Sequence, residues 1–319
     1  MTVAESTPPR PRRTLRERLF NNPVALKELR GRMRGARAFI VLTVYLTLMS
    51  GFATLVYVLY ASSLAYMPGG VQGGQIGRVL FMSVVGVELF LVTFIAPAFA
   101  AGAISGERER QTYDLLRATL LPSRALVSGK LISTLSYIFL LLLTAIPLQG
   151  IAFLFGGVTE MEIILSFVIL IVTALLLGTV GVFFSAITQR TLTASILSYA
   201  FALISMLVLP LALLIIGPVV SGMLYGVFSS GGTAISPVLE AAMYYGLGLL
   251  IATNPLGTLF GTLILLIDRQ EIGFFSVTLQ NGALIPMVSP WVVFTILGLA
   301  LSLVLLVLTI KRVNRVEEV

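Results

Sequence analysis

Apolar segments long enough to cross a lipid bilayer recur along most of this chain, and they limit its fold more than any other feature. A transmembrane helix needs about 20 apolar residues, which is longer than most helices and strands of a soluble core. Hydrophobic residues make up 57% of the sequence and charged residues 11%, whereas an ordinary soluble domain has about 25% charged residues. The sequence therefore predicts an all-α membrane protein with about six transmembrane helices.

The boundaries of the predicted spans come from the charged and Gly/Pro-rich residues between the apolar segments. The spans cover residues 38–62, 79–104, 131–155, 163–187, 192–217 and 291–310. Residues 218–289 form either short exterior or re-entrant helices or two additional spans, and the break at Asn254-Pro255 favours the first interpretation. Residues 22–319 are then a single membrane domain, preceded by a cytoplasmic tail at 1–21.

Positive charges are confined to a few parts of the chain. Of the 21 Lys and Arg residues, only Arg78 and Arg269 lie outside residues 1–37, residues 108–130, Arg190 and the segment after residue 310. Cytoplasmic loops of membrane proteins carry such an excess. We therefore predict a multi-pass protein of the cytoplasmic membrane with both termini in the cytoplasm. Topology and contact with anionic lipid explain the basic balance, so nucleic acid is not an expected partner.

Several kinds of chemistry are excluded by the residues that the chain lacks. The sequence contains no His and no Cys, which removes disulfides, thiolate chemistry, zinc sites and histidine bases. A phosphate-binding loop requires G-x-x-x-x-G-K-[ST]. Gly129-Lys130 is a partial match, but Arg124 replaces the first glycine and Leu131 replaces the hydroxyl residue. We expect no enzymatic activity and no cofactor bound by this chain.

A short basic segment precedes the first span. Asn22-Pro23 predicts a helix start, because proline is favoured at the first helical position. In residues 24–34, apolar side chains share one face and basic side chains cover the rest, which is typical of an in-plane helix at the membrane surface. A solvated juxtamembrane stretch is the alternative. The residues assigned to this interfacial helix are Lys27, Glu28, Arg30 and Arg32.

The charged segment 106–130 lies between the second and third spans. At about 25 residues it is longer than a turn and shorter than a domain. Tyr113, Leu116 and Leu120 recur at helical spacing and give one apolar face. Pro122 ends this helix, and Ser123 is predicted to cap the next one. We interpret the segment as an amphipathic surface helix that provides a docking site for a cytoplasmic partner.

Residues of this segment resemble the signature that follows the second span in type-2 ATP-binding-cassette (ABC) permeases. The matching residues are Pro97, Ile104, Glu107-Arg108-Glu109, Thr112, Asp114-Leu115-Leu116, Leu121-Pro122 and Gly129-Lys130. Residues 22–32, with Asn22-Pro23-Val24 and Lys27-Glu28-Leu29-Arg30, are similar to the in-plane helix that opens many of these permeases. One departure is Gln111, which stands where the family usually has glycine.

The resemblance implies a membrane subunit of an ATP-driven transporter, an exporter like most of the family, that forms the translocation path. Its implied partners are a second permease copy, as a homo- or heterodimer, and a separate ABC ATPase subunit that binds and hydrolyses ATP. The implied docking residues of this cytoplasmic coupling helix are Glu107, Arg108, Glu109, Thr112, Asp114, Leu115, Leu116, Pro122 and Lys130. A non-transporting membrane scaffold or assembly subunit of a larger complex is the alternative function.

Glu88 is the remaining candidate functional residue, and it lies near the middle of the second span. A charged side chain at the bilayer centre costs about 2.5–3.5 kcal/mol on insertion scales, so such residues commonly have a function. Two interpretations stay open. Glu88 either interacts with a substrate or a proton, or it is a neutral acid hydrogen-bonded to a Ser or Thr of a neighbouring helix.

Overall fold

The computed structural model describes only part of the chain. The described residues are 31, 36–65, 73–113, 122–208, 210–212, 214–215, 218, 236–279 and 281–317. Two groups of predicted site residues lie outside these ranges. They are Lys27, Glu28, Arg30 and Arg32 of the interfacial helix, and Asp114, Leu115 and Leu116 of the charged segment.

Helices make up most of the described structure. In chain order they are α1 (Ala36–Ala65), α2 (Gly73–Ala100), α3 (Ser105–Glu109), α4 (Ser123–Leu154), α5 (Glu160–Ile187), α6 (Thr191–Leu203), α7 (Pro237–Thr253), α8 (Pro255–Arg269) and α9 (Pro290–Glu317). A π-helix at Ile204–Val208 continues α6. Strands β1 (Phe274–Thr278) and β2 (Leu284–Val288) form an antiparallel hairpin between α8 and α9.

Six helical stretches of the described chain are long and apolar enough to cross a membrane. They are Phe39–Ser63, Gly74–Glu109, Ser123–Leu154, Glu160–Ile187, Thr191–Ala212 and Pro290–Asn314. This confirms the predicted fold class, an all-α membrane protein with about six spanning helices. Helices α7 and α8 meet at a bend of 116°, the geometry of a broken span or a re-entrant loop.

Helix α5 lies at the centre of the bundle and contacts α2, α4, α6, α8 and α9. Small residues explain how closely its neighbours approach. A Cβ added to Gly181 of α5 would lie 2.5 Å from the Cβ of Ala100 in α2. A Cβ added to Gly298 of α9 would lie 2.7 Å from Cγ1 of Val172 in α5. Backbones pack this closely in membranes where small residues face each other.

The hairpin was not part of the sequence prediction, which expected only helices in residues 218–289. Its strands pair Phe274 with Val288 and Thr278 with Leu284. Strand β2 carries apolar residues on both faces, and in β1 the alternation that marks a half-buried strand is limited to residues 275–278, which is too short a signal to predict a strand. Side chains from the flanking helices fix its position: Arg269 Nη1 donates to the Ser276 carbonyl at 2.6 Å, and Trp291 Nε1 donates to the Ile272 carbonyl at 2.6 Å.

Candidate functional site

The charged residues after α2 begin at a break in the helix that a second helix supports. Ser185 Oγ of α5 accepts hydrogen bonds from the backbone N–H groups of Ile104 and Ser105, each at 2.9 Å. Ser105 Oγ lies 3.1 Å from Ser185 Oγ and donates to the Ala101 carbonyl at 3.0 Å. Ser105 and Ser185 are both fully buried. The start of α3 is therefore fixed on α5 by a satisfied network of two hydroxyl groups.

Glu107 connects α3 to α4. Lys130 Nζ of α4 lies 3.0 Å from Glu107 Oε1, and Thr112 Oγ1 donates a hydrogen bond to Glu107 Oε2. The Lys130 side chain is only 5% exposed, whereas that of Glu107 is 27% exposed. A lysine in such a position needs a paired charge, because burial of an unpaired ammonium is costly. The ion pair therefore allows a buried lysine to be accommodated within α4.

Arg108 connects α3 to the end of α5. Its Nη1 atom donates to the carbonyl oxygen of Thr188 at 3.0 Å, and its guanidinium lies 5.1 Å from the centroid of the Tyr113 ring. Carbonyl groups in the last turn of a helix have no partner within the helix, and cations are favoured at that end. Arg108 thus completes the C-terminus of α5 and stacks on Tyr113 at the same time.

Glu109 connects α3 to the start of α6. Its carboxylate accepts from the backbone N–H of Thr191 at 2.8 Å and from Thr191 Oγ1 at 2.7 Å. Thr191 is the first residue of α6. The N–H groups of a first helical turn are unpaired, and the helix dipole favours a carboxylate beside them. Glu109 is therefore an N-terminal cap that comes from another element of the chain.

The chain leaves α3 through a tight turn at Gln111. The φ angle of Gln111 is 55°, in the left-handed region, and the backbone N–H of Thr112 donates to the Glu107 carbonyl at 3.0 Å. Glycine adopts this conformation without the steric cost that a side chain brings. The departure from the resembled signature therefore falls at a position where glycine has a structural advantage. Arg110, Gln111 and Thr112 are exposed at this turn.

We call this arrangement the α3 junction, defined as α3 with its contacts to Lys130, Thr188 and Thr191. Five of the predicted docking residues meet in it: Glu107, Arg108, Glu109, Thr112 and Lys130. Their polar atoms bind other parts of the same chain. Pro122 is exposed, and it occupies the N-cap position of α4 that was predicted for Ser123. Among the described residues of segment 106–130, the exposed ones are Glu109, Arg110, Gln111, Thr112, Pro122 and Arg124.

Sequence reasoning missed the partners of the charged residues. Ser185, Thr188 and Thr191 lie about 80 residues beyond α3 in the chain. The available signal was the short polar turn around Arg190, placed on the same side as the charged segment by the charge distribution. That signal puts the two segments at one end of the bundle, but it does not identify which side chains meet.

Glu88 lies in a second polar site within the bundle, formed by α1, α2 and α4. The residue is fully buried, and Gln149 Nε2 of α4 donates to its Oε2 atom at 2.6 Å. The buried Tyr45 hydroxyl of α1 interacts electrostatically with Glu88. Neither partner was predicted, although Gln149 is the single amide side chain within the third span. In the described part of the chain no three carboxylates are placed to hold a metal ion.

Comparison with models of protein families and with curated proteins finds no match to this chain. Its function is therefore argued from its own residues.

Proposed function

We propose that this chain is the membrane permease subunit of an ATP-driven ABC transporter of the type-2 class, and that it works as an exporter in the cytoplasmic membrane. The observation that carries the proposal is the α3 junction. A short charged helix follows a long apolar helix, and its three consecutive charged residues each bind a different element: Glu107 binds α4, Arg108 binds the end of α5, and Glu109 binds the start of α6.

A permease that is driven from outside the membrane needs a part that receives a displacement and passes it on to several helices. Rigid elements joined by hydrogen bonds and ion pairs can carry such coupling. The exposed turn at Arg110 and Gln111 would receive the force from a partner. The contacts of Glu107, Arg108 and Glu109 would then move α4, α5 and α6 together, a rigid-body change of the kind that switches access in transporters.

The partners follow from the same proposal. This chain lacks a phosphate-binding loop, so ATP would be bound and hydrolysed by a separate ABC ATPase subunit. A second permease copy would complete the path, with membrane lipid around both. Arg110 and Arg124 are exposed cations beside the junction, and they suit a partner surface that carries carboxylates.

The docking role is tested with a charge reversal that removes none of the hydrogen bonds described for the junction. Arg110→Glu changes an exposed side chain, and Lys311→Glu makes the same change at an exposed position in the last turns of α9. We expect Arg110→Glu to reduce both co-purification of an ATPase subunit and ATP-dependent transport by several-fold, because a rim charge influences association. Lys311→Glu should leave both unchanged.

Glu107→Ala combined with Arg108→Ala is expected to separate ATP hydrolysis from transport, because it removes two of the three links that the charged side chains of α3 make to the bundle. Retained coupling in this double variant would count against the proposal. A stable partner without a phosphate-binding loop, with no ATPase in the purified complex, would favour the scaffold function instead.

A further inference from the structure

The contact between Glu88 and Gln149 has the geometry of half of a cyclic acid–amide pair. Gln149 Nε2 donates to Glu88 Oε2 at 2.6 Å, and both side chains are at least 99% buried. A primary amide and a carboxylic acid can form two parallel hydrogen bonds. The amide N–H donates to one acid oxygen, and the acid O–H donates back to the amide oxygen.

The second hydrogen bond of such a pair would join the two remaining oxygen atoms, one from each side chain. Glu88 Oε1 and Gln149 Oε1 are both buried and have no hydrogen-bond partner among the described residues. An ionised carboxylate can only accept, so it cannot satisfy the amide oxygen of Gln149. Because unpaired buried acceptors are costly, two of them on the same interacting pair need an explanation. One proton on Glu88 Oε1 turns that atom into a donor toward the amide oxygen.

No cation of the described chain balances a charge on Glu88. The helices packed against α2 are α1, α4, α5, α6 and α8. Of their ionisable side chains, Tyr45 of α1 is the one that interacts electrostatically with Glu88, and a tyrosine hydroxyl is uncharged at neutral pH. The others have partners elsewhere or lie toward helix ends. The groups with partners are Lys130 with Glu107, Tyr57 against Phe155, Tyr137 against Phe99, Tyr199 with Phe94, Arg269 with Ser276 and Arg78 of α2 with Gly157. Those toward helix ends are Tyr60, Arg124, Glu160, Glu162 and Asp268.

We propose that Glu88 is a proton-binding site, occupied by one proton in this conformation and shared with Gln149. Uptake adds a proton from water to Oε1 and changes no other group. A hard metal cation fits less well, because such ions take about six or more oxygen ligands. Apart from Glu88 Oε2, the described site offers three buried oxygens without partners: Glu88 Oε1, Gln149 Oε1 and the Tyr45 hydroxyl. This inference does not depend on the proposed function.

A crevice between the same three helices lies near the site, although Glu88, Gln149 and Tyr45 do not line it. It has a volume of about 280 Å³ and is lined by residues of α1, α2 and α4, including Ser50, Thr54, Leu80 and Phe155. Phe155 follows the C-terminus of α4, so the crevice lies toward the end of the bundle opposite the α3 junction. Separation of α1 from α2 and α4 would admit water from that end, and the hydrated carboxylate could then ionise.

The test is infrared spectroscopy on the purified full-length chain in lipid nanodiscs at neutral pH, with the spectrum of each variant subtracted from that of the wild-type protein. The wild-type protein should show the C=O stretching band of a protonated carboxyl group, and this band should shift in D₂O. Glu88→Gln should remove it, whereas Glu160→Gln, which changes an exposed carboxylate at the start of α5, should leave it unchanged.

Gln149→Leu provides a second measurement in case Glu88→Gln does not fold. It keeps the acid and removes its amide partner, so the band should remain and move to higher frequency. Absence of a protonated-carboxyl band in both the wild-type protein and Gln149→Leu would overturn the proposal. A carboxylate band that shifts when sodium replaces potassium, and that Glu88→Gln removes, would also overturn it and assign a metal cation instead.

Discussion

At the scale of single residues, the charged side chains of the α3 junction act as connectors within the chain. Lys130 is the clearest case, since the whole residue is only 4% exposed and lies in the continuous helix α4. Replacement of a buried ion pair by apolar residues is often neutral, whereas removal of one partner leaves a charge without compensation. The contribution of the Glu107–Lys130 pair to the free energy of unfolding is therefore measured by comparing single and double variants.

We predict that Glu107→Gln lowers the free energy of unfolding by about 1–3 kcal/mol, because the Lys130 ammonium loses a charged acceptor. Glu107→Gln combined with Lys130→Met should cost less than the sum of the two single changes. Chemical or thermal unfolding in one detergent measures this cycle. Arg124→Gln, an exposed cation in the first turn of α4, is the control and should change stability by less than about 0.5 kcal/mol. Strict additivity would contradict the predicted pair.

Gln111 shows what a residue pattern can and cannot predict at this scale. The resembled signature identified the position as unusual, because glycine is the common residue there. The structure supplies the reason, a φ angle of 55°, which costs a residue with a side chain about 1–2 kcal/mol. The turn itself could not be predicted from Gln111, because nothing in a glutamine favours this conformation.

At the scale of elements, Asn254 joins the bent pair α7–α8 to the π-helix that follows α6. Its Oδ1 atom accepts from the Gly257 N–H at 2.8 Å, which caps α8. Its Nδ2 atom donates to the carbonyls of Ser205 at 2.6 Å and Met206 at 3.1 Å. One buried side chain thus caps one helix and binds two backbone carbonyls of another, which sets where the bend lies relative to the bundle.

These two roles of Asn254 can be separated. Asn254→Ser keeps an oxygen for the cap and loses the amide donors, whereas Asn254→Ala loses both. We predict a loss of about 1–3 kcal/mol for Asn254→Ser, because two carbonyls lose a buried amide donor. For Asn254→Ala, a further loss of about 0.5–2 kcal/mol comes from the missing cap. Thermal unfolding measures both, with the exposed Thr253→Ala as control; equal losses in the two variants would show that the cap contributes nothing.

The length and position of the long helices could be predicted because they depend on composition along the chain. The predicted third span at 131–155 ends one residue beyond α4 (Ser123–Leu154), and the predicted fourth span at 163–187 lies within α5 (Glu160–Ile187). Contacts between helices could not be predicted in this way. Glu88 and Gln149 are 61 residues apart, and either could have met a Ser or Thr instead. Close helix approach at Gly181 likewise depends on Ala100, which no spacing pattern identifies.

At the scale of the whole molecule, the bundle has two chemically different ends. One end carries the α3 junction and the turn around Arg190, and the other carries the hairpin β1–β2 and the bend of α7 and α8. Helix α2 has 28 residues, whereas about 20 suffice to cross the hydrocarbon core. The charged residues of α3 can therefore lie in water beyond the membrane, as a docking site requires.

The proposed function requires the end with the α3 junction to face the cytoplasm. The chain is well suited to a labelling test of this orientation because it has no Cys of its own. We predict that an impermeant maleimide added to intact cells modifies Thr278→Cys in the hairpin and does not modify Arg110→Cys at the junction. Both positions are exposed in the structure. The physical reason is that the topology predicted from the sequence puts nearly all Lys and Arg residues on the same side as residues 106–130, and such a bias sets orientation during insertion.

Permeabilised cells serve as the control, and there both variants should react, while the unmodified chain should react in neither case. Reaction of Arg110→Cys in intact cells would place the junction outside the cell. An ABC ATPase needs ATP and therefore lies on the cytoplasmic side of the membrane. A junction on the outer face could not contact it. The permease proposal would then fail, even though the proton site at Glu88, which rests on a buried pair of side chains, would stand.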